Sequence, residues 1–547
     1  MTKLLVLLLV AAWLASLAAR PLYKTDEARY GEISREMAQS GDWVTPRLNG
    51  FKYFEKPPLQ YWAGAAALKA LGQHDWAARL WTGLMALAGV ALSFFAARRL
   101  FGAPAGILAA AILAGCPLYV TFGQLNTLDM GVSVFLAAAV FAFAIAQSPD
   151  GEPVPHGGAL ARRRRRWMLA GWAACALAVL SKGLIGIVLP AAAVALYVLI
   201  RRDWPLLRRL ELARGTALFL AISAPWFVIV SLRNPEFAHF FFVQEHWQRF
   251  TTTVHHRSHP AWYFVPVLAV GVAPWLLIVL AAWRAALRRP DPGFSAPLFL
   301  ALWSLVVFVF FSAAGSKLPG YILPLVPALA VLGAAFMARA APRRMLVAQS
   351  AVIALAGLGL AAGARYLSRI GPDRLDQFAN AYTPALLAAG LVLIAAGALG
   401  AMFALRARTL ASTGVLACGV LAAMLIGLDG HRVYAPLFSA SGTIAAMNPR
   451  PSEKTPFFAV DSYDHSIPWS LRRTVTLVGY KDEFGQAVSW EPGRFIPDLA
   501  GFAREWSAAP DAYALFALRD FERLRDELAL PMEIAARGPR YIIVRKP

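Results

Sequence analysis

At 547 residues, 58% of them apolar and with a mean hydropathy of +0.53, the chain is too long and too greasy for one soluble core and falls among polytopic membrane proteins. Its net charge of +21 does not point to nucleic acid. From Ser452 onward 13 Lys+Arg stand against 14 Asp+Glu, which leaves 40 of the 53 basic and 18 of the 32 acidic residues in the apolar part, where they report topology and attraction to anionic headgroups.

Apolar runs fall at Leu4 to Ala19, Ala77 to Ala97, Ala103 to Val120, Leu128 to Gln147, Trp167 to Leu180, Leu184 to Ile200, Thr216 to Leu232, Val265 to Trp283, Ala296 to Phe311, Tyr321 to Ala338, Leu346 to Ala362, Pro384 to Leu405 and Ala411 to Leu428, about thirteen helices. The first run also has the make-up of a signal peptide, but a charged motif begins only a few residues later, so an uncleaved helix is expected. In the loop from Pro21 to Trp76, Thr25-Asp26-Glu27 reads as a helix start. Ala28 to Gln39 puts Ile33 and Met37 on one face, as a helix lying on the membrane surface would. Asn49-Gly50 marks a turn, and Pro57-Pro58 forbids a helix directly after Glu55 and Lys56.

A second loop, Arg233 to Tyr263, carries Glu245-His246-Trp247-Gln248-Arg249 and then His255, His256 and His259. The three cysteines, Cys116, Cys175 and Cys418, sit in apolar runs without disulfide or metal-ligand spacing and read as packing residues. After Leu428 the apolar periodicity stops. Short β-like runs at Phe457 to Val460, Thr474 to Val478 and Tyr541 to Val544, with a charged helical stretch from Asp511 to Leu530, predict a small α/β domain over residues 431–547, behind a membrane domain over 1–430.

Basic clusters occupy every second gap between spans: Arg98 and Arg99, Arg162 to Arg166, Arg201 and Arg202 with Arg208 and Arg209, Arg284 with Arg288 and Arg289, Arg343 and Arg344, Arg406 with Arg408. By the positive-inside rule those gaps face the cytoplasm. The other gaps hold Asp26, Glu55, Asp129, Lys182, Glu245 and Lys317, so a site built from them opens away from the cytoplasm, and an odd span count puts the C-terminal domain on that side too.

Each of these residues has a bland explanation. Asp26 could be a helix cap and its neighbour Glu27 a solvated first-turn acid; Lys182 and Lys317 could be snorkelling. Asp129, an isolated carboxylate at a helix end, is costly unless paired or functional. Cations in four separate external gaps, Arg29 with Lys56, Lys182, Arg249 and Lys317, suggest a ring for an anion such as phosphate. Glu55 and His246 admit a divalent metal, zinc or magnesium, but two ligands do not demand one. Outside the cytoplasm there is no supply of nucleotide sugars, so a group transfer there needs a donor delivered through the membrane. A sugar on a polyprenyl phosphate fits, with cations stabilising the phosphate as it leaves.

The stretch Asp26-Glu27-Ala28-Arg29-Tyr30-Gly31-Glu32-Ile33-Ser34-Arg35-Glu36-Met37, with Gly41-Asp42-Trp43 and Tyr53-Phe54-Glu55-Lys56-Pro57-Pro58, resembles the first external loop of the lipid A aminoarabinosyltransferase (ArnT) family. Glu245 to Phe250 and Lys317-Leu318-Pro319-Gly320-Tyr321 resemble its later loops. The resemblance implies a mainly α membrane protein with a C-type glycosyltransferase fold and a small extracytoplasmic α/β domain. It implies an undecaprenyl-phosphate-linked 4-amino-4-deoxy-L-arabinose donor, a lipid A phosphate acceptor, and a monomer among the lipids of a bacterial inner membrane.

Carried over residue by residue, Asp26 is the catalytic carboxylate, with Asp129 its partner and Glu27 a further catalytic candidate beside it. Lys56 and Arg249, with Arg29, Lys182 and Lys317, contact the donor phosphate. Tyr30, Tyr53 and Tyr321 contact substrate, and Glu55 and His246 are the metal candidates. Ser316 and Met130 depart from the family pattern, which leaves the sugar less secure than the donor class. The competing expectations are a related transferase that uses another sugar or a protein hydroxyl, as O-mannosyltransferases do, and a lipid or sugar transporter. A transporter would place its ionisable groups near mid-membrane in repeated halves, and the sequence shows no repeat.

Overall fold

Runs of about twenty apolar residues are long enough to cross the hydrocarbon core of a bilayer with every backbone hydrogen bond closed inside the helix. The computed structural model describes residues 2–148, 158–248, 259–364, 366 and 376–547. It divides into two compact units: residues 1–16, 55–59 and 82–430, and residues 17–54, 60–81 and 431–547.

Among the described residues eight helices are long and apolar enough to span a membrane, including Leu128–Gln147, Leu212–Arg233, Pro319–Ala340, Arg343–Ala364 and Asp376–Leu405. The number rises to ten if two bent pairs each count as one span. Ala103–Ala114 meets Pro117–Gly123 at 68°, and Ala261–Gly271 meets Ala273–Arg288 at 74°. Pro117 and Pro274 stand at the two breaks, where a missing N–H and a ring clash end a helix. Eight to ten of the thirteen expected runs meet that length and composition among the described residues, so the count of thirteen is not confirmed. Leu4–Ser16 and Ile185–Arg201 are shorter apolar helices, and the expected span from Trp167 lies in a helix, Ala159–Lys182, whose first turns carry arginines.

Within the first unit, the windows in Leu128–Gln147 and Pro319–Ala340 are 83% buried, whereas those in Arg343–Ala364 and Asp376–Leu405 are 28% buried and present apolar side chains outward as lipid-facing helices do. This outer pair touches backbone to backbone. A Cβ on Gly357 would meet the Gly390 carbonyl oxygen at 2.6 Å, so small residues set the approach.

The second unit is α/β. Its six-stranded sheet is built from β3 (Phe457–Val460), β4 (Thr476–Val478), β5 (Phe495–Ile496), β6 (Tyr513–Ala517), β7 (Glu533–Arg537) and β8 (Tyr541–Arg545), in the order β5-β4-β3-β6-β8-β7. The first four are parallel, and β8 pairs antiparallel with both β6 and β7. Phe458, Phe502, Trp506, Phe516 and Val544 form its core. The stretch from Asp511 was expected to be helical, yet Tyr513–Ala517 is a strand and only Phe521–Leu528 is a helix. Its apolar Tyr-Ala-Leu-Phe run is buried between β3 and β8, and pairing on both edges overrides the charged helical pattern around it.

A small hairpin, β1 (Arg47–Leu48) and β2 (Phe51–Lys52), turns at Asn49-Gly50, both with positive φ (51° and 80°) as a two-residue turn needs. Before it runs the helix Asp26–Ser40, ended by Gly41 at φ 71°. It does not lie with a polar face open to water as the amphipathic pattern suggested, because all eleven residues from Glu27 to Met37 are buried. Their charges are matched inside the protein: Glu27 pairs with Arg20 and Arg79, and Glu32 with Arg35.

Candidate functional site

On the first unit, three of the expected site residues converge. Asp129 lies in the first turn of Leu128–Gln147 and Lys182 in the last turn of Ala159–Lys182, which Gly183 ends at φ 83°. Each charge suits its helix end, and the two side chains form an ion pair, both only about 15% exposed. The Lys182 ammonium also lies over the Tyr321 ring, 4.7 Å from its centroid. Tyr321 is brought there by the short 3-10 helix Pro319–Leu325, whose Gly320 packs on Asp129 so closely that a Cβ would stand 2.7 Å from the Asp129 Cγ and 2.6 Å from Phe122. Only glycine fits that approach.

Lys56 donates to Glu245 Oε2 at 3.0 Å and to the Glu55 carbonyl at 2.9 Å. Lys317 is buried and donates to the Ala314 carbonyl at 2.6 Å. Arg249, with His255 and His256, lies outside the described residues, as does the side chain of His246. Among the described residues no three His, Cys, Asp or Glu side chains gather where they could hold a metal ion, and Glu245 beside His246 is engaged by Lys56. No metal enters the chemistry derived below.

On the second unit, the adjacent acids of the first helical turn have opposite surroundings. Glu27 is 4% exposed, with Arg20 Nη1 at 2.6 Å and Arg79 Nε at 2.8 Å. Burial opposes its charge, but the two guanidiniums win and hold its carboxyl down to about 2. Clamped between two buried guanidiniums, Glu27 has the surroundings of a structural strut rather than of the catalytic carboxylate expected of it. Asp26 keeps a side chain 36% exposed, and its Oδ1 accepts from Arg29 Nη1 at 3.2 Å. Arg29 reaches further, to Glu483 Oε2 at 2.6 Å and His465 Nε2 at 3.3 Å.

Tyr30 and Tyr53 are both buried around Tyr61, with ring centroids at 5.9 and 6.4 Å. Sequence reasoning missed His465, Glu483 and Arg79. Nothing local marks the first two, which lie more than 430 residues from Arg29, whereas Arg79, an arginine inside an apolar run, was a visible signal.

Comparison with known proteins follows this division. A model described as "Aminoarabinose transferase C-terminal domain" matches residues 443–546, and one described as "Dolichyl-phosphate-mannose-protein mannosyltransferase" matches residues 55–229. An undecaprenyl phosphate-alpha-4-amino-4-deoxy-L-arabinose arabinosyl transferase of Serratia proteamaculans is 34% identical over 61% of this chain, a match that spans 58% of the relative's own length. A second such transferase, from Sodalis glossinidius, is 29% identical over 96% of this chain and 95% of its own. The crystal structure of ArnT from Cupriavidus metallidurans bound to undecaprenyl phosphate superposes with a TM-score of 0.92 at 35% identity, covering 100% of this chain and 97% of that one. The chain belongs to the ArnT family. The apo-state crystal structure of ArnT from Cupriavidus metallidurans superposes with a TM-score of 0.90. The ArnT family is a family of multi-pass membrane proteins, and this chain shares its C-type glycosyltransferase fold.

Proposed function

We propose that this ArnT-family protein transfers 4-amino-4-deoxy-L-arabinose, or a closely related sugar, from undecaprenyl phosphate to a phosphate of lipid A on the periplasmic side of a bacterial inner membrane. The observation that carries the reading is the end-to-end likeness to an ArnT bound to undecaprenyl phosphate, and the relatives' names supply the sugar.

In the transfer, the bond from the sugar's anomeric carbon to the donor phosphate oxygen breaks and its electron pair stays on that phosphate. An oxygen of the acceptor phosphate forms the new bond to the anomeric carbon. Lys182, Lys56, Lys317 and Arg249 are assigned to the leaving phosphate, where fixed cations stabilise the growing charge, whereas Arg29, expected there too, is engaged by Asp26, Glu483 and His465 and is assigned to holding Asp26. Asp129 orients Lys182, and Tyr321 backs it. Asp26 acts on the acceptor side, orienting it; a phosphate already ionised at neutral pH needs little base. Tyr30 and Tyr53 are assigned to substrate contacts. Residues 1–430 serve as the catalytic membrane domain and 431–547 as a periplasmic domain, with the protein working as a monomer.

Mass spectrometry of lipid A from cells with and without the protein tests donor and acceptor together: the expected result is an increment of one aminopentose. The match to mannosyltransferases over residues 55–229 favours one alternative, a protein hydroxyl acceptor. That would leave lipid A unchanged and add a hexose to a periplasmic protein. Orientation is tested by single cysteines and a membrane-impermeant reagent. One near Ser452 should label in intact spheroplasts and one near Gly158 should not; the reverse pattern would refute a periplasmic site.

A further inference from the structure

We propose that Glu483 and His465, contributed by the α/β fold of the second unit, are positioning residues that set the carboxylate of Asp26 through Arg29. The inference rests on the reading above that Asp26 acts in turnover.

A guanidinium has a rigid planar fork of donors, and here each of its three nitrogens has a different partner. Arg29 Nη2 lies 2.6 Å from Glu483 Oε2, Nε lies 3.3 Å from His465 Nε2, and Nη1 lies 3.2 Å from Asp26 Oδ1. His465 Nε2 also lies 2.5 Å from Glu483 Oε1; one ring nitrogen cannot both donate there and accept from Arg29, so His465 acts chiefly by fixing Glu483, and Glu483 is the main anchor of the guanidinium. The anchoring side is dry, with side-chain exposures of 4% for His465 and 14% for Glu483 against 36% for Asp26. His465 and Arg29 together hold the Glu483 carboxyl down to about 2 against its burial, so the anchor stays ionised across the working range.

The anchors are themselves fixed. His465 immediately precedes the helix Ser466–Leu471, and the adjacent Asp464 is buried, accepting from the Ser466 backbone N–H at 2.9 Å and from Arg540 at 2.7 Å. Glu483 is followed by Phe484, whose ring is buried against Tyr463 at 5.0 Å and Phe51 at 5.5 Å.

The consequence is a division of labour at one arginine. A guanidinium facing a lone carboxylate closes on it with two parallel hydrogen bonds, neutralising it and turning it inward. Here the ion pair with Glu483 draws the guanidinium away at Nη2, and Asp26 receives a single, longer contact from Nη1. Its orientation is fixed while part of its surface stays open for an acceptor. An α/β domain remote in sequence thereby becomes part of the machinery for turnover.

The test is steady-state kinetics on the full-length protein in detergent, with Glu483→Gln, His465→Gln, Asp26→Asn and the double variant Asp26→Asn/Glu483→Gln. Glu483→Gln is expected to lower kcat by about 10- to 100-fold, the scale of a displacement near 1 Å at a reacting group. KM for the donor and affinity for undecaprenyl phosphate should stay at wild-type values. His465→Gln should show a smaller loss of the same kind. The double variant should be no slower than Asp26→Asn alone, since both act through one carboxylate. Unchanged affinity for undecaprenyl phosphate also certifies folding. Wild-type kcat in both Glu483→Gln and His465→Gln, or a loss that multiplies with that of Asp26→Asn, would overturn the positioning role and leave the reading of Asp26 intact. Asp26→Asn turning over at the wild-type rate would overturn that reading and this inference with it.

Discussion

Replacing Glu27 by glutamine should unfold this protein more readily without touching its chemistry, the opposite of what the same change does one residue earlier. The side chain stays nearly isosteric, but two buried guanidiniums lose the anion they share. Removing one partner of a buried ion pair costs about 3–5 kcal/mol. The lowering of its carboxyl from 4.5 to about 2 points the same way, on the order of 3 kcal/mol at about 1.36 kcal/mol per pH unit. Because the folded value lies below the unfolded one, that stabilisation is fully present above about pH 4.5 and is lost as pH falls through about 2. For a unit of about 180 residues, at about 2–4 °C per kcal/mol, the melting temperature should drop by about 6–12 °C at pH 7. Thermal unfolding followed by tryptophan fluorescence in detergent measures it, and the gap between wild type and Glu27→Gln should narrow toward acid pH. A variant that melts within a degree or two of wild type at neutral pH would refute the strut, and an unchanged gap at acid pH would refute its electrostatic origin.

Asp26→Asn should melt like wild type and bind undecaprenyl phosphate normally, yet lose about 100-fold in transfer rate, the scale of a misoriented acceptor, checked by sugar incorporation into lipid A. A cap-only residue would tolerate the change. Lys182→Met should weaken undecaprenyl phosphate binding by about 1.5–3 kcal/mol, the worth of a charge-assisted hydrogen bond, and leave Asp129 unpaired; titration of the purified variant measures it, and wild-type affinity would return Lys182 to a snorkelling role. Burial, followed by the neighbouring Glu32 carboxylate, pushes Glu36 up to about 8. It therefore holds a proton in the folded state that the unfolded chain has lost, and stability should decline as pH rises from about 4.5 to about 8. Glu36→Gln should flatten that decline, read as melting temperature against pH.

Much of this was legible in the chain because single residues carry it. The apolar runs announce membrane helices, Asn49-Gly50 announces the hairpin, and Asp129, Lys182 and Tyr321 stand out at the ends of spans. Their meeting does not show, since it depends on which helix ends pack together. The two acids at Asp26 and Glu27 are alike in sequence, and a helix buried nearly all round offers no apolar stripe to tell the inward one from the other. Arg79 supplies the difference from beyond the loop. The strand Tyr513–Ala517 hid among charged residues because its buried neighbours lie far along the chain.

The helix Asp26–Ser40, with eleven consecutive residues buried and its charges paired within the protein, has a kinetic meaning as well. Its sequence is polar enough to pass for an exposed loop, and such loops exchange their amide protons with solvent in small local openings. Here a local opening would have to strip Glu27 and Glu32 of their arginines and expose the bare charges, so the least costly route to exchange is the unfolding of the whole unit. Its amides belong with the slowest in the protein, and the carboxylate at its first turn rides on one of the least mobile segments of the chain.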